Sequence, residues 1–187
     1  MTRTDFQVVL DACVLANFGV CDLFLRLAES PRLYLPRWSN DILAETRRTQ
    51  VEKLGWPGHI ADSFQSEVKR TFPESLVTGH EFIAQQCKNN AKDRHVLACA
   101  IHCQAELVVT FNLRDFPAEA LSPWNVEAKH PQDYLLALYS MAPVSVLHRL
   151  EAMSRRRNQQ TEDLLLELGC FVPAFARRVW ENLQAGR

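Results

Sequence analysis

QVVLDACVLAN, residues 7–17, is an apolar run that stops at a carboxylate and restarts with helical spacing. Val8, Val9 and Leu10 are β-branched or bulky residues suited to a buried strand, and Ala12 to Asn17 reads as the start of a helix. Asp11 therefore stands at the carboxyl end of a first strand, where open α/β sheets place their chemistry. Outward from this stretch, short apolar runs alternate with longer segments of helical period as far as about Ala128. That alternation is the signature of βαβ units around a parallel sheet, and it assigns the chain to the α/β class. The other strand candidates are Leu33 to Leu35, Ser75 to Val77, Leu107 to Thr110 and Asn125 to Glu127.

The helices between them carry recognisable boundaries. Cys21 to Glu29 puts Leu23, Phe24 and Leu27 on one face and is punctuated by Pro31. Ser39 is a suitable N-cap for a helix carrying Ile42, Leu43 and Glu45. Gly58 to Phe72 ends at Pro73. Asp93 to Gln104 has Val96, Leu97, Ala100 and Ile101 as its stripe and Asp93 in its first turn. Beyond Pro131 the texture changes to helices alone, over Tyr134 to Met141, Val144 to Arg157, Thr161 to Leu168 and Ala174 to Leu183. This predicts a helical extension packed on the α/β part, or an interface for another chain.

The bulk numbers fit this plan. A chain of 187 residues, 47% hydrophobic and 23% charged, suits one globular domain or a domain with an appended piece. No apolar run approaches the roughly 18 residues of a membrane span, and no secretory leader is evident at the N-terminus, so a cytoplasmic protein with no membrane contact is expected. Six cysteines lie scattered without a C-x-x-C pair and are expected to be buried thiols. His95, Cys99 and Cys103 would share a helical face, but a zinc site needs a fourth ligand that the chain does not offer nearby. A net charge of −1 and a pI of about 6.6 do not advertise a nucleic-acid binder. Divalent cations on an acidic cluster would change that balance.

Such a cluster is available. Asp11 follows the first strand, Asp93 opens a helix, and Asp115 lies just past the strand ending at Thr110. In a parallel sheet all three fall on one edge. Glu45 joins them if its helix crosses that edge. Taken singly, each acid has an ordinary reading as a cap, a turn closer or a solvated helix position. Gathered in one crevice they repel by about 4 kcal/mol per pair at ~4 Å and an effective dielectric of ~20. Hard oxygen donors without histidine suit Mg²⁺ or Mn²⁺, which activate water and stabilise the leaving oxygen in phosphodiester cleavage.

At this point the chain resembles the PIN-domain ribonucleases, of the kind found as VapC-type toxins. The matching pieces are VVLDACVL around Asp11, PRWSNDILAE ending at Glu45, KDRHVLACAI containing Asp93, and VVTFNLRDFP containing Thr110, Asn112 and Asp115. The resemblance implies a three-layer α/β/α sandwich with a central parallel sheet over residues 1–130, the nuclease domain, followed by the helical extension 131–187. It implies Asp11, Glu45, Asp93 and Asp115 as catalytic and metal-binding carboxylates, with Thr110 and Asn112 in support. A further acid common ahead of the helix-opening aspartate is replaced here by Asn89, Asn90, Ala91 and Lys92. The helical tail, with HPQDYLLAL and LLLELG, resembles a subgroup of these proteins. An antitoxin partner and a homodimer are further implications.

The function expected is hydrolysis of RNA by a metal-dependent endoribonuclease, the toxin of a toxin–antitoxin pair. Arg37, Arg94 and Arg114 are the expected phosphate contacts, with His95 beside them. Phe111, Phe116 and Trp38 are candidates for stacking on a splayed base. The alternative is a catalytically silent PIN-like module acting through its helical tail. A phosphoacceptor domain would need an acidic pair after the first strand, and a D-x-D phosphohydrolase is excluded because position 13 is Cys13.

Overall fold

The computed structural model describes residues 5–185. Five parallel strands form one sheet in the order β3-β2-β1-β4-β5: β1 (Gln7–Leu10), β2 (Leu35–Ser39), β3 (Leu76–Val77), β4 (Leu107–Val109) and β5 (Glu127–Lys129). Helices α1 (Ala12–Ala16) and α2 (Phe18–Ala28) join β1 to β2, and α3 (Asn40–Arg48) and α4 (Gly58–Thr71) join β2 to β3. Helix α5 (Arg94–His102) leads into β4, and α6 (Ala118–Leu121) leads into β5. The first two crossovers run one way along the sheet and the last two the other way. Right-handed connections therefore put α1 to α4 on one face and α5 and α6 on the opposite face. The result is the three-layer α/β/α sandwich with a central parallel sheet.

Strand order reverses between β1 and β4, the central pair, so the sheet has its switch point there. Both strands are fully or nearly fully buried over Val8 to Leu10 and Leu107 to Val109, as a strand covered by helices on both faces must be. Val20, Leu23, Phe24 and Leu27 on α2 and Val96, Leu97 and Ala100 on α5 press on the two sides. Full burial of each of these valine, leucine and phenylalanine side chains contributes about 1.5–3 kcal/mol.

Two strands lie off their expected positions. The second runs over Leu35–Ser39 rather than Leu33 to Leu35. Pro36 argues against a strand interior, but β3 pairs only with Trp38 and Ser39, so at Pro36 the strand has β1 alone as a neighbour. The last strand is Glu127–Lys129 rather than Asn125 to Glu127, because Asn125 takes a left-handed conformation (φ 52°) that closes the preceding turn. Its charged ends hid it. Asp93 is the N-cap of α5 rather than part of its first turn, and the helix stops at His102, before Gln104 takes a positive φ of 56°. After α3 the chain forms a π-helical turn, Thr49–Lys53, which no sequence pattern announced.

The chain continues as α7 (Pro131–Met141), α8 (Pro143–Arg156), α9 (Thr161–Gly169) and α10 (Pro173–Ala185). Leu135, Leu138, Val146, Leu150, Leu165, Leu168, Phe175 and Val179 are buried in the same apolar cluster as the sheet. Helices α8 and α9 pack on α2, and α10 packs on α7 and α9. Arg157 bridges Asp22 of α2 (3.0 Å) and Glu167 of α9 (3.2 Å), and Arg149 donates to the carbonyls of Glu29 and Ser30 at 3.2 and 3.0 Å. Among the described residues, no helix is long and apolar enough to cross a membrane.

Candidate active site

Asp11 caps α1 at the end of β1, with only 3% of its surface exposed. Its Oδ1 accepts from the Ala12 N–H at 2.6 Å, and its Oδ2 accepts from Thr110 Oγ1 at 2.7 Å and from Cys13 Sγ at 3.1 Å. Thr110 is fully buried at the end of β4, so the side-chain bond joins the ends of the two switch-point strands. The same Oγ1 accepts from the Asn112 N–H at 2.9 Å, and Cys13 Sγ accepts from the Phe111 N–H at 3.3 Å. Burial raises the Asp11 pKa; the bonds from Thr110, Cys13 and Ala12 oppose the rise, and the charge of Glu45 adds to it.

The other acids reach this edge from separate segments. Asp93 is at the start of α5, 8% exposed, and its side chain makes no capping bond to its own helix. Burial, reinforced by the charges of Asp11, Asp115 and Glu45, pushes its pKa up to about 6. Glu45, on the second turn of α3, lies 3.4 Å from His95 Nε2 of α5. That neighbour holds its pKa below the usual carboxylate value against the effect of burial. Burial works against the His95 imidazolium, but Glu45, Asp41 and Asp11 outweigh it and raise the histidine pKa. Asp115 closes the turn Leu113–Asp115, its N–H bonded to the Asn112 carbonyl at 3.0 Å and its Oδ1 accepting from Asn90 Nδ2 at 2.7 Å.

All four expected acids thus lie at the carboxyl edge of the sheet or against it, close enough for Asp93 to feel the charges of the other three. They do not form a closed cage: among the described residues no three His, Cys, Asp or Glu side chains converge tightly enough to hold a metal ion. The face of His95, Cys99 and Cys103 forms none either. His95 turns to Glu45, and Cys99 is fully buried.

Of the supporting pair, Thr110 contacts Asp11 directly, whereas Asn112 acts through its backbone, donating to Thr110 and accepting from Asp115. The arginines separate. Arg114 is exposed on the Asp115 turn. Arg94 is half-buried, with an Nε that has no hydrogen-bond partner, and its charge reaches Cys87. Arg37 does not reach the acids: its Nε donates to Gln7 Oε1 at 2.6 Å and its Nη1 to the Glu74 carbonyl. Gln7 begins β1, about 13 Å of strand from Asp11. Trp38 and Phe116 are buried in the core, and Phe111 alone of the three expected stacking rings keeps partial exposure, with the His130 ring edge-on at 5.1 Å. The thiols are not uniformly buried. Cys13 and Cys103 are half-buried and Cys170 is exposed.

Two contributors escape a reading of the sequence. Cys13 looked like a core thiol, yet it bonds Asp11. Asn90 marked only a missing acid, yet it holds Asp115. A small polar residue two positions after a strand-end acid is the kind of signal that points to the first. The second depends on a contact across 25 residues and has no local signal.

Comparison with known proteins gives one strong match. Over 147 residues, 75% of this chain and 83% of the relative, the sequence is 35% identical to a Mycobacterium tuberculosis protein named "Putative ribonuclease VapC50". No family model matches the chain. No solved structure matches it.

Proposed function

Because the chain belongs to the VapC-type PIN-domain ribonuclease family, we propose that it is a Mg²⁺- or Mn²⁺-dependent endoribonuclease, the toxin of a toxin–antitoxin pair. The observation that carries this reading is the linkage of four carboxylates from four segments at the sheet's switch point, expressed in Asp93 being raised to about 6 by burial and by Asp11, Asp115 and Glu45. A stable fold has no need to assemble such repulsion, whereas a cation-binding site does.

The donor set fits a hard divalent cation. All four donors are carboxylate oxygens, Asp11 Oδ1 keeps a lone pair beyond its bond to Ala12, and the Asp93 side chain is not spent on capping. Mg²⁺ is commonly held by one or two carboxylates with waters and phosphate oxygens, so an open arrangement suffices. When bound, the cation supplies polarisation of a phosphoryl oxygen and a lowered pKa for water.

The chain's own residues orient the rest. Thr110 and Cys13 fix the Asp11 carboxylate in one rotamer, and the Ala12 N–H fixes its plane. Asp93 takes up a proton as pH falls below about 6, so the protein without cation loses site charge in mild acid. His95 offsets the charge of Glu45. Arg114, exposed beside Asp115, and Arg94, beside Asp93, are the proposed phosphate contacts. Residues 1–130 are proposed as the nuclease domain and 131–187 as an extension packed on it. A cytoplasmic setting, a homodimer and a cognate antitoxin complete the proposal.

Cleavage of single-stranded RNA by the purified chain tests it. Wild type is expected to cut with Mg²⁺ or Mn²⁺ and to stop with a chelator, and Asp11→Asn and Asp93→Asn are each expected to lose at least ~100-fold. Undiminished cleavage by both variants would sink the assignment; no cleavage together with no calorimetric signal for Mn²⁺ would favour a silent binding module.

A further inference from the structure

We propose that Asn90 is a positioning residue for Asp115, an inference that rests on the nuclease reading above. Asn90 uses both ends of its side chain and both backbone polar groups at the site. Its Nδ2 donates to Asp115 Oδ1 at 2.7 Å, and its Oδ1 accepts from the Lys92 N–H at 3.1 Å. Its own N–H donates to the Asp115 carbonyl at 3.2 Å, and its carbonyl accepts from the Asp93 N–H at 2.9 Å. One residue therefore binds the Asp115 turn on one side and the turn leading into Asp93 on the other. The two side-chain contacts also fix which way the amide points, because a flip would set carbonyl against carboxylate and NH₂ against N–H.

The bond to Asp115 is charge-assisted and short, the class that adds directional order as well as energy. Asp115 lies on the half-exposed turn Leu113–Asp115, where the Asn90 amide donates to its carboxylate. The Asn90 amide occupies Oδ1 and leaves Oδ2 as the atom for a cation or a water. Asn89 braces the same junction from beneath: it is buried, and its Nδ2 donates to the Asp93 carbonyl at 3.0 Å.

Two variants separate positioning from mere turn capping. Aspartate at position 90 still accepts from the Lys92 N–H but sets a like charge against Asp115, whereas alanine loses both contacts. With Asn90 as a positioning residue, Asn90→Asp and Asn90→Ala both lower kcat for RNA cleavage by about 10-fold with KM changed less than about twofold, and the Asp variant is no better than the Ala one. A capping role orders them oppositely, with Asn90→Asp near wild type and Asn90→Ala impaired, and that order overturns the proposal. A second arm is independent of activity: the Asn90 side-chain NH₂ signals in a ¹⁵N-correlated NMR spectrum are expected to be exchange-protected and to lose that protection in Asp115→Ala. Unprotected signals in the wild type overturn the clamp itself. A wild-type protein that cleaves nothing overturns the nuclease reading and with it the kinetic role, while the NMR arm still decides whether the clamp exists.

Discussion

Thr110→Val is the substitution whose consequences the structure defines most closely. It exchanges a hydroxyl for a methyl of nearly equal size at a fully buried position, so packing is preserved and the hydrogen bonds are what change. Lost is the 2.7 Å bond from Oγ1 to Asp11 Oδ2, a charge-assisted bond worth about 1.5–3 kcal/mol. The Asn112 N–H also loses its acceptor, at small cost because Asn112 is exposed to water. For a chain of this size, roughly 2–4 °C per kcal/mol converts the loss to a Tm decrease of about 3–12 °C. The pH dependence is the sharper test. The folded Asp11 pKa is above its ordinary value, so the native state binds more protons than the unfolded state between those two values, and stability falls as pH rises through that window. Thr110 provides the largest of the hydrogen-bond effects opposing the rise, so its removal widens the window upward. Thermal melts followed by circular dichroism from pH 4 to 8, without divalent cations, are expected to show the gap between wild type and variant growing as pH rises. Thr110→Ser should close most of it. A gap independent of pH would refute the argument that Thr110 acts through the Asp11 charge.

Three further outcomes follow from the same geometry. Asp93→Asn is expected to raise Tm by a few degrees at pH 8 and to leave it unchanged near pH 4, because a carboxyl raised to about 6 destabilises the fold as pH climbs through roughly 4–6; equal melts at pH 8 would contradict this. Mn²⁺ added at 100 times its Kd should stabilise the wild type by about 2.7 kcal/mol, and the increase should vanish in Asp11→Asn, as read by a fluorescence melt. Leu150→Ala, at a fully buried position of α8, is expected to cost about 2–5 kcal/mol. Near- and far-ultraviolet signals should still melt in one coincident transition, since α8 shares its apolar cluster with the sheet; a separate early transition would show that the C-terminal helices unfold alone.

The elements read most faithfully from sequence are those whose burial is complete and whose ends are chemically marked. β1 lies at Gln7–Leu10 as expected, because three apolar residues stop at a carboxylate, and α3 starts after Ser39, whose Oγ accepts from the Ile42 N–H at 3.2 Å. β2 and β5 were displaced because tertiary context overrode local signals. A proline is tolerated where its strand has one neighbour, and β5 is a polar edge strand whose backbone is recruited by Glu106 and Thr110. Asp11, Asp93 and Asp115 could be located because each sits at an element boundary that sequence can place, and Glu45 because it lies a turn inside α3, whose Ser39 cap marks the helix start. Their partners were less readily located. Thr110 reads as the last residue of a strand and lies one residue past β4, but Asn90 and His95 act across the fold, and Arg37 was assigned by its nearness in sequence to the motif, although its head group points toward the opposite end of β1.

The electrostatic layout bears on how a chain of net charge −1 can meet a polyanion. The four acids are not equivalent. Glu45 is held below the usual carboxylate value by His95, whose own pKa is raised by the same contact, so this pair approaches neutrality in mild acid. Asp93 moves the opposite way, to about 6, so it takes up a proton in mild acid. Asp11 is desolvated, but three hydrogen bonds are directed at its oxygens. As pH falls below about 6 without a cation, the site therefore loses charge from Asp93 while Glu45 is compensated, and the two effects together reduce repulsion toward phosphate. Near pH 8 Asp93 is ionised, and under the proposed mechanism a bound cation would supply the relief instead. RNA affinity without divalent ions should consequently strengthen from pH 8 to pH 5.5, and saturating Mn²⁺ should flatten that dependence. Anisotropy titrations of the wild-type protein with a fluorescent single-stranded oligonucleotide made uncleavable by 2′-O-methylation would expose the error if affinity did not depend on pH in the absence of cation.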